Sequence, residues 1–341
     1  MFYIYCVNKT LAASIKKPKM TKKVFVTGGT GFLGRHLIER LVSENYQVFA
    51  LTRTENSLRN LPIHEVVGSL NDIQKWEDKL SDCDVLIHCA ARVEFWGAWQ
   101  DYYKDNTLAT LDLLKSAEKY KVKRFIYISS ESVLQDKNDL FDIDETYPYP
   151  KEPSSYYGKS KMLAEQGIIA FNGNIQKIIL RPTFIYGKGV NAIKTLKEKI
   201  KSGGFSWIDK GNVWMEMVYV KNVVEGIVMA MSNGKNNEIY NITDHSKLTV
   251  KAFLSDLMAT ENVSISNKNT PSFIAKPAAS IVEKLWKIFK LKSYPPLTRF
   301  DLSFIAMNRQ YKTTKAINEL KYKPIYNTED ALNEMRKNTS C

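Results

Sequence analysis

Long apolar runs are missing from this chain of 341 residues, and so are the clusters that hold metals. Nothing approaches the roughly 18 consecutive apolar residues of a membrane-spanning helix. The four histidines form no His-x-x-x-His pair, and Cys6, Cys83, Cys89 and Cys341 show no metal-type spacing, so no metal site is expected. Cys83 and Cys89 flank or lie in a strand-like segment and read as reduced thiols of a cytoplasmic protein. Internal repeats and low-complexity blocks are absent too. So is any basic motif interleaved with aromatics. The net charge of +13 therefore reads as lysines scattered over solvated faces, and no nucleic-acid partner is expected.

What is present is a globular composition, 44% hydrophobic and 25% charged. Strand-like segments at 24–27, 47–52, 64–67, 84–89, 124–129 and 176–181 alternate with helical patterns at 31–43, 73–80, 105–120 and 157–171. This rhythm predicts an α/β fold, a Rossmann-type doubly wound parallel sheet whose ligands gather at the C-terminal strand ends. Beyond 181 helices are expected at 191–202, 221–232, 249–260 and 275–291. The expected organisation is an N-terminal extension (1–20), an NAD(P)-binding domain (21–181) and a smaller C-terminal substrate lobe (182–341), partly interleaved with the first. Met20 precedes the first strand and could be the true start.

The run Thr27-Gly28-Gly29-Thr30-Gly31-Phe32-Leu33-Gly34 joins an apolar strand to a helical pattern. Glycines in such a turn let the backbone approach a pyrophosphate, and the helix start offers unpaired N–H groups and a positive dipole end. At the end of the second strand Thr52 stands where a ribose-binding carboxylate would select NAD, and Arg53 follows. A guanidinium suits a 2′-phosphate, so NADP(H) is expected over NAD(H). A ring-stacking or solvent-facing Arg53 would instead leave both coenzymes acceptable.

A tyrosine with a lysine four residues on along a helix can exchange the proton of a carbinol, because the two share a face. The pattern occurs at Tyr5/Lys9, Tyr147/Lys151, Tyr157/Lys161 and Tyr311/Lys315. Pro148 and Pro150 break the second pair. Only Tyr157/Lys161 opens a helical run ahead of a strand of the sheet, which puts it at the ligand edge. Ser130, or failing it Ser132, ends the fifth strand there and would orient the reacting oxygen.

These residues resemble the extended short-chain dehydrogenase/reductase family (the NAD-dependent epimerase/dehydratase superfamily) from about 22 to 335. The glycine motif, Asp84-Val85-Leu86-Ile87-His88-Cys89-Ala90-Ala91 and Leu180-Arg181-Pro182-Thr183-Phe184-Ile185-Tyr186-Gly187 look like its cofactor segments. The resemblance implies that Tyr157 shuttles the proton, Lys161 tunes it and binds the nicotinamide ribose, Ser130 holds the substrate oxygen and Asn106 supports the active-site helix. It also implies cofactor contacts at Gly28, Thr30, Gly31, Phe32, Leu33, Gly34, Ala90, Ala91 and Pro182, and a homodimer through the helices at 105–120 and 157–171. Ser69, where an adenine-binding Asp is usual, departs from the pattern. Trp96-Gly97-Ala98-Trp99, the segment Met217–Val224, Tyr240-Asn241-Ile242-Thr243-Asp244 and Pro296-Leu297-Thr298-Arg299 look like the 3β-hydroxysteroid dehydrogenase branch.

An aromatic pocket of Phe95, Trp96, Trp99, Tyr186, Trp207 and Trp214 would suit a lipid-like alcohol or ketone, a sterol or a long-chain β-keto acid. Residues 277–292 form a basic amphipathic pattern that would lie on an anionic membrane surface or pack on the lobe; both readings stand. Two rivals remain. One is a nucleotide-sugar epimerase, dehydratase or reductase, for which Lys188 and Arg299 are the only diphosphate-binding candidates. The other is a sensor that binds the cofactor without turnover.

Overall fold

The computed structural model describes residues 22–94, 96–291 and 293–337. The expectations for residues 1–20, Phe95 and Cys341 lie outside them. Seven parallel strands form the central sheet: β1 (Lys23–Thr27), β2 (Gln47–Thr52), β3 (His64–Val67), β4 (Val85–His88), β5 (Arg124–Ile128), β6 (Gln176–Pro182) and β7 (Glu238–Ile242). Their order across the sheet is β7-β6-β5-β4-β1-β2-β3, with the chain reversing direction at β1 and β4. The helices are α1 (Phe32–Ser43), α2 (Trp99–Tyr102), α3 (Ala109–Lys119), α4 (Tyr156–Ala170), α5 (Asn191–Lys201), α6 (Val220–Asn233), α7 (Val250–Ala259), α8 (Ser272–Ile288), α9 (Arg299–Ile305) and α10 (Thr328–Lys337).

The central strands are apolar on both faces because helices cover both. Val24 and Val26 of β1 meet Leu37, Ile38 and Leu41 of α1 and Val223, Val224 and Ile227 of α6 on one side. Phe25 points the other way, into a core with Leu113, Leu114 and Ala117 of α3 and Ala164 and Ile168 of α4. Alternate side chains of one strand thus build two different cores.

Two local expectations change. Residues 73–80 form short 3₁₀ turns, Leu70–Lys75 and Glu77–Leu80, with Asp72 outside helical geometry. The Trp76 ring is stacked on Phe25 with centroids 5.5 Å apart, and its Nε1 donates to the Ser69 carbonyl at 2.8 Å, so the segment bends around that anchor. The helix expected from 105 begins at Trp99 and runs through a π-helical stretch, Tyr103–Leu108, before α3.

The lobe does not separate from the sheet at residue 181. Helix α6 and strand β7 return to the first unit, while Leu140–Ile143 leaves it to pair with Arg309–Tyr311. The lobe has its own core, built on Tyr186, Trp207, Met217 and Phe253. Helices α8 and α9 dock through Ala275, Ala279, Leu302 and Ala306.

Candidate active site

The C-terminal ends of β1, β4, β5 and β6 meet at one edge, and the glycine turn shapes it. Gly28 has φ +73°, and a Cβ there would sit 2.7 Å from the Ala90 nitrogen. A Cβ on Gly34 would strike the Gly28 carbonyl oxygen. Gly31 caps α1 without a side-chain acceptor, and the first turn carries no acid. The N–H groups of that turn are therefore left for a ligand. Thr30 is exposed on the loop, and Ala90 and Ala91 lie half-buried beside Gly28 at the end of β4. Phe32 and Leu33 turn their side chains into the lobe core, so what they offer a ligand is backbone. Pro182 ends β6, opposite Ile242.

Three buried hydroxyls, Thr52 Oγ1, Ser129 Oγ and Thr183 Oγ1, lack hydrogen-bond partners among the described residues. They stand at or just past the ends of β2, β5 and β6. Buried polar atoms are ordinarily satisfied, so an edge with three open hydroxyls and a bare helix start fits a polar, anionic dinucleotide. Arg53 is exposed at the end of β2. A recess of 260 Å³ is lined by Arg35, Asn56, Ser57 and Arg59, and Arg53 is not among its lining residues. Arg35 and Arg59 were not foreseen. Arg35 follows Gly34 directly, which is the signal that could have found it. Ser69 accepts from Asn71 N at 3.2 Å as the cap of a 3₁₀ turn.

Helix α4 starts where Ser155 Oγ accepts from Gly158 N at 3.0 Å. A Cβ on Gly158 would strike the Ser132 carbonyl, so the helix start rests directly on the turn after β5. That contact brings Tyr157 to Ser130. Burial pushes the half-buried Tyr157 phenol up to about 12; interaction with Ser130 opposes the shift and the Glu131 charge adds to it. Lys161, one turn on, is 2% exposed. Its ammonium donates to the Ile128 carbonyl at 2.6 Å and lies 4.0 Å from the Tyr127 ring centre. Burial pulls it down to about 7, against the charge of Glu165. Of the two serines, Ser130 is the one beside Tyr157; Ser132 is buried behind it and accepts its hydroxyl at 3.1 Å.

Asn106, expected in the catalytic set, is a positioning residue in this geometry. It lies in the π-helical stretch, accepts from Arg92 N at 2.7 Å and donates to Ser160 Oγ at 2.9 Å. It holds the helix that carries Tyr157 and Lys161 rather than the phenol itself. The extra backbone residue of a π turn aims its side chain inward, a feature found often at functional sites.

Tyr157 opens into a cleft of 910 Å³ bounded by Trp96, Tyr156, Phe300, Leu302 and Met307, with Lys276, Glu283, Lys287 and Arg299 along one side. Its walls are thus more charged than expected. Of the aromatic candidates, Trp96 lines the cleft and Trp99 packs beside it against Tyr156. Tyr186 and Trp207 are lobe core, and Trp214 is 40% exposed on a strand pairing Thr249. Large rings are usually largely buried, and composition cannot tell a core ring from a pocket wall. Cys83 and Cys89 are free thiols, pushed up to about 11 and about 12 by burial. Among the described residues no His, Cys, Asp or Glu group could hold a metal, and no helix is long and apolar enough to cross a membrane.

The model of the NAD-dependent epimerase/dehydratase family matches residues 24–243. The chain is 32% identical to sterol-4-alpha-carboxylate 3-dehydrogenase, decarboxylating, of Dictyostelium discoideum, over 92% of this chain and 100% of that one. It is 30% identical to a 4-hydroxy-2-methyl-3-oxo-4-farnesyl-3,4-dihydroquinoline-1-oxide ketoreductase of Stigmatella aurantiaca, over 92% and 96%. Among solved structures, UDP-glucuronic acid 4-epimerase of Bacillus cereus, in complex with NAD, shares the fold with a TM-score of 0.70 at 22% identity, covering 92% of this chain and 96% of that one. With the glycine edge, the Ser130/Tyr157/Lys161 set and these relatives together, the chain belongs to the NAD-dependent epimerase/dehydratase family and is an oxidoreductase of the extended short-chain dehydrogenase/reductase type.

Proposed function

We propose that the protein interconverts a secondary alcohol and a ketone on a hydrophobic substrate of sterol-like or long-chain β-keto acid type, preferring NADP(H) to NAD(H). The observation that carries this reading is the Tyr157 phenol, seated beside Ser130 and opening into a cleft to whose wall Trp96, Phe300, Leu302 and Met307 contribute. A nicotinamide bound at the glycine edge would supply the hydride equivalent exchanged with the substrate carbon. Gly28, Gly31 and Gly34 would hold its pyrophosphate, and Lys161 its nicotinamide ribose. Ser130 donates a hydrogen bond to the substrate oxygen and fixes its place. Tyr157 passes its proton to that oxygen in reduction and takes it back in oxidation. A phenol that burial keeps protonated is prepared for the reductive direction.

The coenzyme preference is supported by Arg53 at the end of β2 and, separately, by the recess lined by Arg35 and Arg59. The two guanidinium groups of that recess suit a 2′-phosphate dianion. In Arg35→Ala/Arg53→Ala the KM for NADPH should rise roughly tenfold or more, with that for NADH nearly constant. An unchanged NADPH/NADH ratio would sink the assignment.

The substrate class is tested by following reduced-nicotinamide absorbance with 3β-hydroxysteroids, long-chain β-keto acids, short aryl ketones and UDP-sugars, each with both coenzymes, beside Tyr157→Phe. Turnover of a lipid-like member that the variant loses supports the proposal. Conversion of a UDP-sugar with no net redox signal moves the protein to the epimerase branch. Of that rival's two diphosphate-binding candidates, Arg299 is bonded to Glu283 at 2.8 Å and Lys188 is exposed past the end of β6. A binding protein without turnover would have no use for the proton-transfer set.

A further inference from the structure

Helix α8 borders the substrate cleft, yet most of its apolar residues point away from both the cleft and the lobe. Ala275, Ala279 and Glu283 are the buried row, packed on α9 and its flank. Lys276, Ser280, Glu283 and Lys287, spaced four, three and four residues apart, line the cleft. The remaining side carries Phe273, Ile274, Ile281, Leu285 and Ile288, continued by Phe289 just past the helix, and all six are exposed, Phe273 at 75% and Ile288 at 71%. Ile274, Ile281, Leu285 and Ile288 are seven, four and three residues apart, which puts them on one stripe next to the cleft row, with Phe273 and Phe289 flanking it. Isolated exposed apolar residues are ordinary; a contiguous stripe along a 17-residue helix is an interaction surface.

The charges around that stripe choose the partner. The exposed charged groups of the helix and its C-terminal turn are Lys276, Lys284, Lys287 and Lys290. The one acid, Glu283, is buried and engaged by Arg299, which bonds it through its backbone N at 2.6 Å and its Nε at 2.8 Å. A second copy of this face would bring lysines against lysines. An anionic lipid headgroup plane meets the lysines while the acyl region receives the stripe.

We infer that α8 docks the protein on an anionic phospholipid surface, with the mouth of the substrate cleft beside the lipid. A substrate with low water solubility then reaches Tyr157 from the bilayer instead of from solution. The charge excess of the chain, +13, acts in the same direction through long-range attraction.

The experiment is flotation of the full chain with phosphatidylcholine vesicles, with and without phosphatidylglycerol, beside the exposed-stripe variant Ile281→Ser/Leu285→Ser/Ile288→Ser. The full chain should float with the anionic vesicles and release at high salt. The variant should bind them at least about tenfold more weakly with an unchanged melting temperature. A full chain that stays in solution overturns the inference. A variant that floats as well as the full chain does the same by assigning the binding to another segment. A dimer by light scattering that the variant splits would assign the stripe to a second copy instead. None of these readouts depends on turnover, so they stand apart from the test of the proposed reaction.

Discussion

At the residue scale the site depends on a phenol that burial keeps protonated and an ammonium that burial keeps near neutrality. Tyr157 is pushed up to about 12 and Lys161 down to about 7. Removing the proton donor while keeping the ring should be costly. Tyr157→Phe is expected to lower kcat by about 10² to 10⁴ with little change in fold, as measured by steady-state kinetics and thermal melting. Ser130→Ala removes one hydrogen bond to the reacting oxygen and should cost less, about 10- to 100-fold. Both residues were legible in the sequence, because strand end, serine, helix start and the Tyr-x-x-x-Lys spacing are all local patterns. Glu131 was not. It is 3% exposed, and the groups around it, Tyr311, Arg309 and Glu216, come from distant parts of the chain, so nothing beside it in sequence announces its burial.

At the scale of elements the placement of α4 decides the chemistry. Its first turn rests on the carbonyl of Ser132 at Gly158, and Asn106 and Thr107 of the π-helical stretch hold Ser160 from the other side, Thr107 Oγ1 donating to the Ser160 carbonyl at 2.8 Å. Gly158→Ala inserts a methyl group into that contact. It should lower stability by about 1–3 kcal/mol, the usual cost of overpacking, and displace Tyr157, so that kcat falls even in the folded fraction. Equal kcat per folded molecule, with folded protein counted from urea unfolding, would show that the contact does not position the phenol. The start of α4 could be read from the sequence through the helical run that Tyr157 opens, although its cap, Ser155, was not singled out. The π-helical stretch could not, because an inserted backbone residue leaves the hydrophobic pattern of 105–120 almost unchanged.

At the scale of the whole molecule, buried titratable groups set opposing pH dependences. His88 is 0% exposed, held by Thr27 Oγ1 at 2.6 Å and Thr110 Oγ1 at 2.9 Å, and burial, with Lys161 adding, pushes it down to about 3. Its folded pKa is depressed, so the unfolded chain binds the extra proton; the stability it contributes is complete above about 6.5 and declines as pH falls toward about 3. Glu131 and Glu216 are each raised from 4.5 to about 7 by burial. Their contribution is complete below about 4.5 and is lost as pH rises through about 7. Glu216→Gln, which cannot ionise, should therefore stabilise the protein by about 1–3 kcal/mol at pH 8 and leave it nearly unchanged at pH 4.5. Urea unfolding at the two pH values checks this, and an equal effect at both would mean that the carboxyl does not titrate in this range.

By itself the sequence determined whatever depends on neighbours in the chain. The strand segments of β1 to β6, among them 64–67, the glycine turn and the Tyr157/Lys161 helix all follow from periodicity and glycine placement, because these patterns span few residues. Only the tertiary structure decided which side chains share a cavity. It sent Tyr186 and Trp207 to the lobe core and brought Arg309–Tyr311 to Leu140–Ile143 across some 170 residues. It gathered Arg35 and Arg59 in one recess and turned the apolar stripe of α8 away from the core. The physical reason is common to all of these: burial depends on what the rest of the fold leaves uncovered, and no local pattern carries that information.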